Sequence, residues 1–171
     1  MDAYMIVFRI IHIAAGVFWV GSAAMFFLVV QPAAKAVGPE AAPLMNHLIR
    51  QKRVPVMLLW CAATTIIAGL LLYWRTSGGF DLDWITSPMG LAFTTGAVAA
   101  IIAFILGLTI GKPLGDRIGA LAQQGASGGG PPSESAMAEI GALQQKLRKL
   151  GLTNLALLGI AVLLMATARY L

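Results

Sequence analysis

Charge is what this sequence has least of. Only 11% of its 171 residues are Asp, Glu, Lys or Arg, while 58% are hydrophobic. A soluble domain carries about 25% charged residues, so the chain lacks the polar coat that a water-facing surface needs. Its apolar surface is expected to face lipid. Cysteine is nearly absent: Cys61 stands alone, which excludes an internal disulfide and a cysteine zinc cluster. The seven acidic residues, Asp2, Glu40, Asp81, Asp83, Asp116, Glu134 and Glu139, fall at the ends of apolar runs or between them. That argues against a proton-coupled pump built on a buried carboxylate. Neither a Gly-rich loop followed by Lys and Ser/Thr nor an HExxH occurs, so nothing points to phosphoryl transfer or zinc hydrolysis. The net charge of +5 comes without a basic stripe interleaved with aromatics, and no nucleic-acid partner is expected. The first apolar run has no basic segment before it and is too long for a signal core, so no cleavable signal is expected.

What is abundant is long apolar sequence, with a mean hydropathy of +0.82. Four stretches stand out, at residues 3–31, 54–74, 89–111 and 152–168. A span needs about 20 apolar residues, and backbone polar groups in lipid must bond within their own segment, which makes each stretch a helix. The expected fold is all-α: a single transmembrane domain, a four-helix bundle. Pro32 and Pro39 are expected to break the chain after the first span, and Gly78, Gly79 and Pro88 punctuate the second link. Residues 125–135, rich in Gly, Ser and Pro, have the composition of a flexible linker. Leu114, Ile118 and Leu121 before it, and Ile140, Leu143, Leu147 and Leu150 after it, repeat at helical spacing. The favoured reading is a helical hairpin extension between the third and fourth spans. The alternative lays its second arm on the membrane surface, with Lys146, Arg148 and Lys149 towards phosphates.

Basic residues set the orientation. Lys35, Arg50, Lys52 and Arg53 lie in the first loop and Lys112, Arg117, Lys146, Arg148 and Lys149 in the third, nine of the twelve Lys and Arg. The positive-inside rule puts both loops in the cytoplasm and both termini outside it. Tyr73, Trp74, Trp84 and Tyr170 then form an outer aromatic belt.

The first span holds two ionisable residues, Arg9 and His12, which are costly in lipid and therefore functional candidates. Three residues apart, they share a helix face that Met5, Gly16 and Trp19 continue. His12 lies eight residues past Tyr4, about 12 Å along the axis. In one reading His12 ligates a metal or a haem iron, Gly16 leaves room for a flat macrocycle, and Arg9 pairs with a propionate. In the other, His12 hydrogen-bonds a neighbouring helix and Arg9 snorkels to the interface. Met5, Met89 and Met165 lie in the outer third and offer soft sulfur for copper, or simply pack. Thr64, Thr65, Thr94 and Thr95 lie near the depth of His12. His47, in the first loop, sits too far away to share a site with His12. Gly107, Gly111, Gly115 and Gly119 form a stripe suited either to internal packing or to a homodimer or membrane-complex partner.

The run Arg9-Ile10-Ile11-His12-Ile13, with Phe18-Trp19-Val20-Gly21, Phe26-Phe27 and Gln31-Pro32-Ala33, resembles the first helix of the CopD-like membrane superfamily. That group includes CopD-type copper proteins and HemJ-type protoporphyrinogen oxidases. The resemblance covers about the first 30 residues and otherwise a shared four-helix layout. It implies haem b at His12, with copper handling as the alternative, in a bacterial-type inner (plasma) membrane. One residue separates Trp19 from Gly21 where the HemJ pattern has two. No basic residue lies within the second span to match that family's intramembrane lysine, a departure that counts against oxidase activity and leaves haem binding open. A further reading, from a different class, is a non-catalytic subunit of a larger membrane complex, which makes no demand on His12.

Overall fold

The computed structural model describes residues 2–51, 53–127 and 133–171, and every regular element among them is helical. Four rods are long and apolar enough to cross a membrane: Ala3–Val37, Val54–Thr76, Pro88–Gln123 and Glu134–Tyr170. The first joins α1 (Ala3–Met25) to α2 (Gln31–Val37) through a π turn at Phe26–Val30. The connection that follows is itself largely helical, with α3 (Ala42–Asn46) and a second π turn at His47–Gln51 ahead of α4 (Val54–Thr76). The short α5 (Leu82–Thr86) precedes α6 (Pro88–Leu106), which runs through a third π turn at Gly107–Gly111 into α7 (Lys112–Ser127). Last is α8 (Glu134–Thr167).

Pro32 does not break the first rod, contrary to the sequence-based expectation. Proline inside a helix removes a donor and drives its ring against the carbonyl four residues back. Here the chain widens just before the proline: the N–H of Gln31 bonds Phe26 O, five residues back. The third rod repeats this device, with the N–H of Lys112 bonding Gly107 O immediately before Pro113. A π turn moves the obstructing carbonyl aside, and the helix continues.

Helix also reaches into both ends of the segment 125–135. α7 runs to Ser127 and α8 begins at Glu134. Ser133 caps α8, its hydroxyl oxygen accepting the N–H of Ala136 at 3.2 Å, and Glu134 places negative charge where the helix dipole favours it. Residues 128–132 of that linker lie outside the described residues. α8 has 34 residues, about 51 Å at 1.5 Å per residue, against a hydrocarbon thickness of about 30 Å. Its first turns therefore overhang the apolar part of the bundle. There α7 packs on them, with Leu121 buried and Arg117 paired to Glu139 at 2.9 Å.

The four long helices form a ring in the order α1, α4, α6, α8, and the closest pairings are α1 with α4 and α6 with α8. One residue from each meets in the core: Trp19, Ala62, Ala103 and Leu158. The rest of the buried set in these helices is small, namely Thr65, Ala68, Gly90, Ala92, Gly96, Ala99, Gly151 and Ala161. Large apolar side chains such as Ile10, Val17, Phe18, Trp60, Ile67 and Leu163 point outwards, each at least 60% exposed. Where lipid is the solvent, burying a leucine gains little, and close backbone approach through small residues holds helices together instead.

Candidate functional site

The polar contacts between α1 and α4 begin at one end and run inwards. Asp2 caps α1 by accepting the N–H of Tyr4 at 3.2 Å and also pairs with Arg75 at 3.3 Å. The hydroxyl of Tyr4 donates to Leu71 O at 3.4 Å. Deeper, His12 Nδ1 lies 2.8 Å from the carbonyl oxygen of Thr65. A carbonyl can only accept, so Nδ1 carries the proton, and in the neutral ring Nε2 is left with its lone pair. Nε2 has no hydrogen-bond partner among the described residues. His12 as a whole is half-buried. The fully buried side-chain atoms without a partner are Gln31 Oε1 and Asn154 Oδ1 among the described residues, so Nε2 keeps some contact with the surroundings.

Two glycines shape this seam. A Cβ on Gly69 would stand 2.8 Å from His12 Cε1 and 3.0 Å from Nδ1: the Cε1–Nδ1 edge of the imidazole lies against the bare backbone of α4. One turn along, a Cβ on Gly16 would meet Thr65 Cγ2 at 3.5 Å. The Thr65 hydroxyl donates to Cys61 O at 2.8 Å, which turns its methyl towards α1. His12 faces Gly69 and Thr65 faces Gly16, each pair four residues apart on its own helix.

The other candidate residues do not converge on His12. Trp19 is buried in the core, edge-on to Phe104 with ring centroids 6.4 Å apart. Arg9 is exposed. With Met5 it lines a groove of about 330 Å³ on α1, together with Asp2, Ile6, Ile10 and Ile13. It joins no ion pair among the described residues. Met165 lies across the bundle on the α6–α8 seam, its Cγ 3.1 Å from where a Gly96 Cβ would be. Met89 is half-buried in the first turn of α6. His47 is exposed beyond α3. Among the described residues no three or more His, Cys, Asp or Glu side chains gather as a metal site. In the glycine stripe, Gly107 faces Asn154 and Gly111 faces Leu150, both on α8, whereas a Cβ on Gly115 would meet nothing within 4 Å.

Depth along the helix puts Thr64, Thr65, Thr94 and Thr95 near His12, and of these four it is the backbone carbonyl of Thr65 that His12 meets. Gly69 escaped the sequence reading. Its signal was the pattern T-x-x-x-G in the second span, matching H-x-x-x-G in the first. Comparison with protein-family models, with curated proteins and with solved structures finds no match.

Proposed function

We propose that this chain is a four-span integral membrane protein that binds haem b through His12. The observation that carries this reading is the hydrogen bond from His12 Nδ1–H to Thr65 O, which in the neutral ring leaves the Nε2 lone pair free. Metal-bound histidines typically have their second ring nitrogen fixed in this way. Haem requires one such imidazole from the chain; Cu(I) requires soft donors to converge, and Met5 lines the groove on α1 while Met165 lies on the α6–α8 seam. His12 would hold the iron through Nε2, and Arg9, one turn nearer the helix start and in no ion pair among the described residues, would hold a propionate. The seam itself offers no slot beside Gly16, which Thr65 covers, so the haem would lie on the Nε2 side. Bound iron would supply reversible one-electron transfer.

The small-inside, large-outside packing supports insertion in a bilayer. Lys35, Arg53, Lys112, Lys146, Arg148 and Lys149 cluster at the end opposite Asp2 and Arg75. This supports a cytoplasmic α7–α8 overhang and outer termini; a bacterial-type inner membrane is what the CopD-like resemblance implies. A second reading, a packing subunit of a larger complex, draws on the same hydrogen bond as an interhelical tie worth about 0.6 kcal/mol.

An absorption spectrum separates the two. Protein purified with haem available is expected to show a Soret band that shifts on reduction. His12→Ala should remove the haem or change its spin state, and Arg9→Ala should weaken retention without abolishing it. A colourless protein, indifferent to His12→Ala, contradicts haem binding and leaves the packing role.

A further inference from the structure

We infer that Gly69 and the backbone carbonyl of Thr65 form a seat for His12, in which Gly69 is a positioning residue for whatever binds Nε2. This deepens the haem reading and rests on it for the identity of the ligand, but the seat itself is a property of the α1–α4 seam. The ring can donate to Thr65 O at 2.8 Å only while it lies against α4 at Gly69. A methyl there would come within 2.8 Å of Cε1 and 3.0 Å of the donating Nδ1, closer than side-chain carbons approach. A ring is too rigid to yield by bending, so any side chain at position 69 moves the imidazole away from its acceptor.

Thr65 contributes through its backbone. Its hydroxyl proton is committed to Cys61 O at 2.8 Å, and its methyl rests against Gly16. The acceptor for His12 is thus a helix carbonyl, which cannot rotate and cannot donate. A hydroxyl in its place could do either and would allow both neutral tautomers. Of the two neutral tautomers the seat admits only the one with the proton on Nδ1, whether or not a ligand is present. On the other side the Thr65 methyl stands 3.5 Å from where a Gly16 Cβ would be, an ordinary packing distance.

The test is ¹⁵N NMR of the full chain labelled at histidine, in micelles at alkaline pH before haem is added. The only other histidine, His47, is assigned with His47→Gln. His12 is expected to show a protonated Nδ1 and an unprotonated Nε2. Thr65→Val should keep that pattern, because it removes the hydroxyl and leaves the carbonyl. Gly69→Ala should lose it, giving mixed tautomers. A protonated Nε2 in the wild-type protein overturns the seat, even if Gly69→Ala fails to fold. A tautomer switch in Thr65→Val, or a Gly69→Ala signal identical to wild type, overturns it too. In the haem arm, Gly69→Ala should lower haem affinity about 10- to 100-fold, the usual loss when a ligand's supporting contact is removed. Equal affinity in wild type and Gly69→Ala overturns the role of Gly69 in positioning His12 for the haem. The expected tautomer in a protein that takes up no haem refutes the haem reading and leaves the seat standing.

Discussion

Glycine does different work at different positions of this bundle, and the difference is measurable residue by residue. At Gly90 a Cβ would collide with the backbone carbonyl of Trp84 and stand 2.9 Å from Ile85 Cα. At Gly151 it would run into the ring of Phe27. At Gly141, on the overhanging part of α8, it would meet nothing within 4 Å. Gly90→Ala and Gly151→Ala are expected to destabilise the protein by about 1–3 kcal/mol, the usual cost of overpacking. Gly141→Ala should stabilise it by about 0.5–1 kcal/mol, because alanine loses less conformational freedom in a helix. Thermal unfolding in one detergent reads all three. Gly90→Ala as stable as wild type would show that α5 does not sit where its carbonyl requires.

At the scale of elements, much of the architecture was legible. The four spans follow from hydropathy alone, since no other part of the chain is apolar for long enough. The helical periodicity of Leu114, Ile118 and Leu121 was also readable, and α7 does pack on α8. Ser133 as a cap was readable in principle: a serine followed by Glu134 marks a helix start, yet the surrounding Gly and Pro made the whole segment look like linker. The continuation of helix through Pro32 was not legible, because a π turn leaves no residue signature beyond the proline itself. Which helices pair was not legible either. α4 and α6 both present faces of alanine, glycine and threonine, so composition cannot say that His12 meets Gly69 rather than Gly96. The seat needs both patterns, H-x-x-x-G and T-x-x-x-G, to be set opposite one another, and only three-dimensional structure supplies that register.

For the whole molecule, polar and aromatic contacts define one end of the bundle. Asp2 pairs with Arg75, and the Tyr73 hydroxyl reaches Thr94 Oγ1 at 2.6 Å. Met165 lies on Gly96, so these contacts gather the starts of α1 and α6 and the ends of α4 and α8 at one end of the bundle. Tyr73 also meets Trp84 edge-on at 5.4 Å, and Trp84 stacks on Phe93 at 6.3 Å, an aromatic cluster suited to a membrane interface. With the basic residues at the opposite end, a reporter fused after Leu171 is expected to be extracytoplasmic. Cytoplasmic activity there would invert the bundle and place His12 in the inner leaflet. The central claim, that His12 presents Nε2 to a haem, has a more direct test in chemical rescue. His12→Gly removes the ring and leaves a space bounded by Gly69 and Thr65 O, the groups that seat an imidazole in the native protein. The measurement is the Soret spectrum of His12→Gly with haem, recorded without and with free imidazole. The account predicts loss of the wild-type spectrum in the variant and its return when imidazole is added. A His12→Gly protein that keeps the wild-type spectrum with no imidazole present would contradict it.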